Sequence, residues 1–270
     1  MIPKARSNKG TGGGGAAGKR VSEPYPHDSY WARSMRPLHI LVFLLPLLIA
    51  YEIGSILYLR NDAGAHLSVS AYRLFGDFFK VFGLAGAFLP GVALVVVFMV
   101  WHIMARDRWS LDWRTLGGMA AESVAWTMPL LVLAAAMNHA RSMAEMYTLA
   151  AGDPVGLKSL PLGASLTIAV GAGLYEEMLF RLVGLALLHF ILVDLIGLAE
   201  RWGFAVAIVL TSLAFALYHG YTLPAEWVKF LFATLAGIYF GTVYVMRGFG
   251  IVVATHALYD VLVLVVFNRH

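Results

Sequence analysis

The sequence predicts an all-α protein, a polytopic transmembrane helix bundle of about seven or eight spans. Three observations predict it. The 270 residues are 60% hydrophobic and only 13% charged, with a mean hydropathy of +0.73, whereas soluble domains are roughly half apolar and about a quarter charged. Several runs reach the roughly 20 mostly apolar residues that a helix needs to cross a bilayer. These runs are continuous rather than alternating, which argues against an outer-membrane barrel.

Residues 1–36 form the first of three zones, a disordered basic tail. Lys4, Arg6, Lys9, Lys19, Arg20, Arg33 and Arg36 surround the Gly12–Gly15 run, a composition that stays flexible and solvated. It is not a cleavable signal peptide, because no apolar stretch begins before about residue 38. The second zone, 37–160, holds spans at 38–60, 81–104 and 118–138, with an interfacial amphipathic segment at 66–80. The third, 161–270, holds spans at 162–196, 203–219, 226–246 and 249–267. The stretch 162–196 is too long for one straight crossing. It is tilted, kinked near Gly171 and Gly173, or split in two. The tail precedes the first span and Arg106, Arg108 and Arg114 follow the second, so the basic bias puts both in the cytoplasm. Seven crossings place Arg269 and His270 outside; an eighth, from a split fourth segment, reverses that end.

The chain has no cysteine, which removes disulfides, a thiol nucleophile, Cys-ligated zinc and iron–sulfur clusters together. The net charge is only +4 and the basic residues sit in tails and loops, so there is no nucleic-acid footprint. The partners implied are the lipid bilayer and a membrane-associated protein or peptide. There is no HExxH, GxSxG, P-loop or dinucleotide fingerprint.

Charged side chains inside a bilayer cost at least ~2.5–3.5 kcal/mol each on insertion scales, so they mark functional candidates. Glu176, Glu177 and Arg181 lie in the fourth apolar segment. Glu177 and Arg181, at i and i+4 in the favourable order, pair on one helix face. Glu176 points about 100° away and has no local partner. Gly173 lies one turn before Glu176 and lets another helix approach. Phe215 and His219 close the fifth span, and His256 and Asp260 share one face of the last. Each element has a bland reading alone: a buried ion pair, a helix-end histidine, a self-satisfied His–Asp pair. The combination of two histidines with three carboxylates on three spans is what water activation requires: a base, imidazoles to hold the water or a metal, and donors for an oxyanion.

These residues resemble the CPBP family of intramembrane proteases, also called the Abi or CAAX-protease family. Its pattern of EExxxR, FxxxH and HxxxN or HxxxD reads here as Glu176-Glu177…Arg181, Phe215…His219 and His256…Asp260, over about residues 162–262. Gly237 and Gly241 add a small-xxx-small pair suited to close helix packing. The resemblance implies an intramembrane endopeptidase in a prokaryotic inner (plasma) membrane. It implies Glu176 as the base that activates water, and His219 as the residue that positions it. His256 and residue 260 complete the site, while Glu177 and Arg181 support the architecture. Leu182 stands where the family usually has Gly, a packing difference. Asp260 stands where many members have Asn, and an ionised Asp cannot donate to an oxyanion. Two options follow. Asp260 orients and charges His256, which then donates; or Glu176, His219, His256 and Asp260 hold one divalent ion such as zinc. The implied cofactor is therefore none, or one such metal ion.

Two other function classes fit buried Glu, His and Asp. One is a proton-coupled transporter, although the repeated halves expected of a carrier are not visible. The other is a non-catalytic membrane scaffold or immunity protein. Glu52 and Glu122 are expected to pair within the bundle or line a wet cavity. Asp194 and His189 are expected at the cytoplasmic interface.

Overall fold

The computed structural model describes residues 29–59, 69–84, 86, 88–137, 160–221, 223 and 226–267. Among them every regular element is a helix, and five helices are long and apolar enough to cross a membrane. In chain order the elements are α1 (Tyr30–Ser34), α2 (Pro37–Tyr58), α3 (Ser70–Val81), α4 (Leu89–Ala105) and α5 (Trp113–Met137). They continue with α6 (Leu162–Leu195), α7 (Glu200–Tyr218), α8 (Trp227–Arg247) and α9 (Phe249–Val261), which runs on as π-helix over Leu262–Phe267. The shorter α4 and α9 are also apolar, so among the described residues the apolar helices number seven, in line with the hydropathy runs. Residues 1–28 of the basic tail lie outside the described residues.

Local signals explain the boundaries. Pro37 opens α2 and Pro90 lies in the first turn of α4, where the missing N–H costs nothing. Pro46 and Pro129 sit inside α2 and α5, as helices buried in lipid tolerate. The expected span at 81–104 is corrected: Val81 ends α3, Gly83 turns with φ +74°, and α4 begins at Leu89. Both pieces are apolar, so hydropathy merges them although the backbone does not. The outward face of α3 exposes Leu74 and Phe78, while Ala71 is buried. The helix is thus amphipathic, as expected there.

The long α6 neither splits nor kinks at its glycines. Its 34 residues would span roughly 50 Å at about 1.5 Å per residue, against a hydrocarbon core of about 30 Å. The departure from α geometry comes later: the helix is α to Glu177, π over Met178–Leu185 and π again over Phe190–Leu195. The glycines serve packing instead. A Cβ on Gly171 would overlap the Tyr51 ring of α2 at 2.2 Å. One on Gly173 would lie 2.7 Å from the backbone N of Ala257 in α9. The Gly237 and Gly241 pair works likewise against α7, where added Cβ atoms would meet Ser212 Cα at 2.9 Å and Ile208 Cγ2 at 3.1 Å. These contacts also fix α7 and α8 as antiparallel neighbours.

At one end of the bundle a buried ion pair ties α1 to α5 and α8. Arg247 donates from Nη2 to Glu122 Oε2 at 2.8 Å and from Nε to Glu122 Oε1. Tyr30 and Trp126 also donate to Glu122, at 2.5 and 3.0 Å. Arg247 Nη2 reaches Ser34 Oγ at 2.9 Å, and its guanidinium lies 4.0 Å from the Trp31 ring centroid. Glu122 therefore pairs within the bundle, as expected. Glu52 does too, accepting from the Tyr175 hydroxyl at 3.0 Å. Asp194 is exposed, whereas His189 packs its ring against Phe204 at 4.1 Å.

The glycine contacts make a direct test. Gly173→Val forces side-chain atoms into the Ala257 backbone and should cost about 1–3 kcal/mol or more, read as a lower thermal midpoint in detergent. Gly76→Ala in α3, where an added Cβ meets nothing within 4 Å, should be neutral or stabilise by about 0.5–1 kcal/mol.

Candidate active site

The two adjacent carboxylates sit at the junction where α6 passes from α- to π-helix, a distortion frequent at functional sites. Glu177 is sealed, at 0% exposure, while Glu176 keeps 6%. Their partners differ as sharply. Glu177 Oε1 accepts from Arg181 Nη1 at 3.1 Å, the expected pair. The same oxygen lies 2.7 Å from His256 Nδ1, a long-range contact that the spacing does not reveal. Arg181 Nη2 donates to the Gly237 carbonyl of α8 at 3.0 Å. Its guanidinium lies over Phe215 and Phe240, 4.9 and 5.4 Å from their centroids. A buried charge needs this degree of compensation, since an unpaired one is strongly destabilising.

His219 caps α7, and Gly220 at φ +68° turns the chain away immediately after it. The His219 Nδ1 stands 2.7 Å from the Phe215 carbonyl oxygen. A carbonyl only accepts, so Nδ1 carries the proton and a neutral ring presents a lone pair at Nε2. That Nε2 faces Glu176 Oε2 at 3.9 Å, too far for a direct hydrogen bond. Phe215 thus serves twice: its carbonyl sets the tautomer of His219, and its ring covers Arg181.

His256 stacks on Phe240 with centroids 4.5 Å apart. Its Nε2 lies 3.4 Å from Asp260 Oδ2. The ring therefore has a carboxylate at each nitrogen, Glu177 on one side and Asp260 on the other. Every sequence-predicted site residue is buried, with Glu176, His219, His256 and Asp260 between 4% and 7% exposed. They stand as two facing pairs, Glu176 with His219 and His256 with Asp260. Among the described residues no group of three or more His, Cys, Asp or Glu is arranged to hold a metal ion. In this arrangement His256 turns its two nitrogens to Glu177 and Asp260.

Residues 158–262 match the family model described as Type II CAAX prenyl endopeptidase Rce1-like. The match agrees with the resemblance carried by the three motifs and covers all of them. No curated protein and no solved structure matches the chain.

Two residues near the site were not singled out by the sequence. Tyr221 lies parallel to His219, with centroids 5.9 Å apart and planes at 11°. Burial, with the Glu176 and Glu226 carboxylates adding to it, pushes its phenol up, so it is a neutral O–H donor. Lys229, 4% exposed, pairs with Glu226 at 2.8 Å in the first turn of α8. It is a charged residue inside an apolar run, the same signal that singled out Glu176, and could have been found that way.

The geometry separates two roles for the paired carboxylates. Arg181→Met leaves Glu177 buried without its cation and should cost about 3–5 kcal/mol, seen as lost expression or a sharply lower thermal midpoint. Glu176→Gln has no such partner to strand and should leave that midpoint unchanged or raise it.

Proposed function

We propose that the protein is an intramembrane endopeptidase that hydrolyses a peptide bond of a membrane-anchored protein or peptide with water activated by Glu176. The observation that carries this is the 3.9 Å gap between Glu176 Oε2 and His219 Nε2. Both groups are acceptors in this tautomer, and two acceptors at that separation suit a single bridging water that donates to each. The Rce1-like match over 158–262 supports the same class of reaction.

The step balances without another reactant. Glu176 takes one proton from the bridging water while His219 Nε2 accepts its other O–H and holds it. The water oxygen adds to the peptide carbonyl carbon, and the carbonyl oxygen takes the negative charge. His256, between Glu177 and Asp260, can donate from both nitrogens only as imidazolium, and its positive charge then offsets the developing negative charge. The proton held by Glu176 then passes to the amide nitrogen, the C–N bond breaks, and a carboxylic acid and an amine leave; the acid's remaining proton, held toward His219 Nε2, passes on to the amine as the products separate, giving a carboxylate and an ammonium. General acid–base catalysis of this kind contributes about 10²–10⁴-fold. Glu177 and Arg181 take no proton in this scheme; they hold His256 and seal the floor. Asp260 acts through His256 as a positioning residue.

The test is proteolysis by purified protein of a library of membrane-anchored peptides, read by mass spectrometry. Wild type should cleave; Glu176→Ala and His219→Ala should not, though both remain folded. A Glu176→Ala protein that still cleaves would falsify the assignment. Activity should survive a strong chelator, and loss on chelation with recovery on adding zinc would shift the mechanism to a metal-bound water.

A further inference from the structure

The three residues that close α7 set a phenol beside the Glu176–His219 pair. His219 caps the helix, and Gly220 follows at φ +68°, a left-handed turn that glycine makes without strain. A chain that stayed helical would carry residue 221 about 200° around the axis from residue 219. The turn instead folds Tyr221 back against His219, with the rings 11° from parallel and their centroids 5.9 Å apart. Phe215 and Tyr218 meet the same imidazole at steep angles, with centroids at 4.6 and 5.2 Å. Three rings and the Phe215 carbonyl thus hold His219 while its Nε2 faces Glu176.

The two phenols beside His219 have different surroundings. The Tyr218 hydroxyl is hydrogen-bonded to Ser70 and to the Ala71 backbone of α3. The Tyr221 hydroxyl lies within electrostatic reach of the Glu176 and Glu226 carboxylates. It also lies within reach of Tyr259, the neighbour of Asp260 on α9. Burial and the two carboxylates keep this phenol protonated. Tyr221 is only partly buried, so a substrate can meet it.

When water adds to a peptide carbonyl, negative charge collects on the carbonyl oxygen, and a donor aimed at that oxygen lowers the barrier. Asp260 as a carboxylate only accepts. His256 directs its nitrogens at Glu177 and Asp260, at 2.7 and 3.4 Å, so its charge is available but its hydrogen bonds are spoken for. Arg181 donates to Glu177 and to the Gly237 carbonyl, and Lys229 is paired with Glu226. The cations of the site are therefore taken up by its carboxylates. Among the described residues around Glu176 and His219, Tyr221 supplies a neutral donor that belongs to none of these ion pairs.

We propose that Tyr221 is a further catalytic residue, whose O–H donates to the scissile carbonyl oxygen as the water between Glu176 and His219 adds to the carbon. The phenol keeps its proton throughout, so the step needs no further acceptor. The hydrogen bond strengthens as the oxygen gains charge, so it acts on the transition state more than on substrate binding. The inference rests on the endopeptidase reading.

The test compares full-length wild type and Tyr221→Phe on the membrane-anchored peptide of the library that wild type cleaves fastest. The variant keeps the ring against His219 and loses only the hydroxyl. Its kcat should fall about 10²–10³-fold, with KM and the thermal midpoint little changed. A kcat equal to that of wild type would show that the ring alone matters and overturns the inference, as does a loss carried by KM. A fluorinated tyrosine at position 221 gives a second measurement. Fluorine lowers the phenol's pKa, and a donor must stay protonated, so the alkaline loss of kcat should move to lower pH. A ring that only packs against His219 would leave the profile where it is, and that result also overturns the inference. A wild type that cleaves nothing in the library sinks the endopeptidase reading and this inference together. A wild type that cleaves, beside an equally active Tyr221→Phe, sinks the inference alone.

Discussion

One oxygen organises the site. Glu177 Oε1 accepts from Arg181 within α6 and from His256 in α9, while Arg181 continues to the Gly237 carbonyl of α8. Three helices are thus registered against one another by hydrogen bonds that lipid cannot replace. The alternative for each group is an unpaired charge in hydrocarbon, which costs far more than an exposed pair gains in water. The close packing follows from the same requirement. Gly173 lets α9 approach α6 closely enough for His256 to reach Glu177, and Gly237 brings the α8 carbonyl within reach of Arg181. In a bilayer, where helices gain nothing by burying apolar surface against each other, small residues and polar contacts are the means of association.

This constraint separates the neighbouring carboxylates. A sealed group whose acceptor oxygen is shared between two donors is a poor proton acceptor during a reaction. Glu176, one residue earlier, faces only a lone pair across a gap. The sequence adjacency that makes the pair look redundant is what makes the division possible: a helix turns about 100° between neighbours, so one faces Arg181 and His256 and the other His219. The π-helical turns that begin at Met178 widen the helix just where both must be accommodated.

Much of this was legible in the sequence, for identifiable reasons. Spans are legible because lipid imposes length and composition on every crossing; the run 162–196 against the observed Leu162–Leu195 shows how closely. The Glu177–Arg181 pair was legible because i, i+4 contacts are a property of the helix itself. The start of α4 was not, because hydropathy does not register a turn such as Gly83 between two apolar helices. The glycines of α6 read equally well as a kink or as a packing face, and only the neighbours, Tyr51 and Ala257, decide. The His256–Glu177 bond spans 79 residues, so no local spacing carries it. The Arg247–Glu122 pair spans 125. There the sequence gives one partner, a carboxylate in need of a cation, without naming the other.

The charge balance of the cluster gives Asp260 its meaning. Glu176, Glu177 and Asp260 can together bring three negative charges into a space shared with Arg181 and His256. Arg181 is always cationic and is committed to Glu177. His256, lying between Glu177 and Asp260, would match Asp260 as imidazolium. An Asn at that position would provide no such charge. In the proposed scheme Asp260 thus balances His256, and Glu176 is the carboxylate left without a cation in hydrogen-bond contact. A carboxylate in that position, next to the unprotonated face of His219, has a water proton as its natural partner.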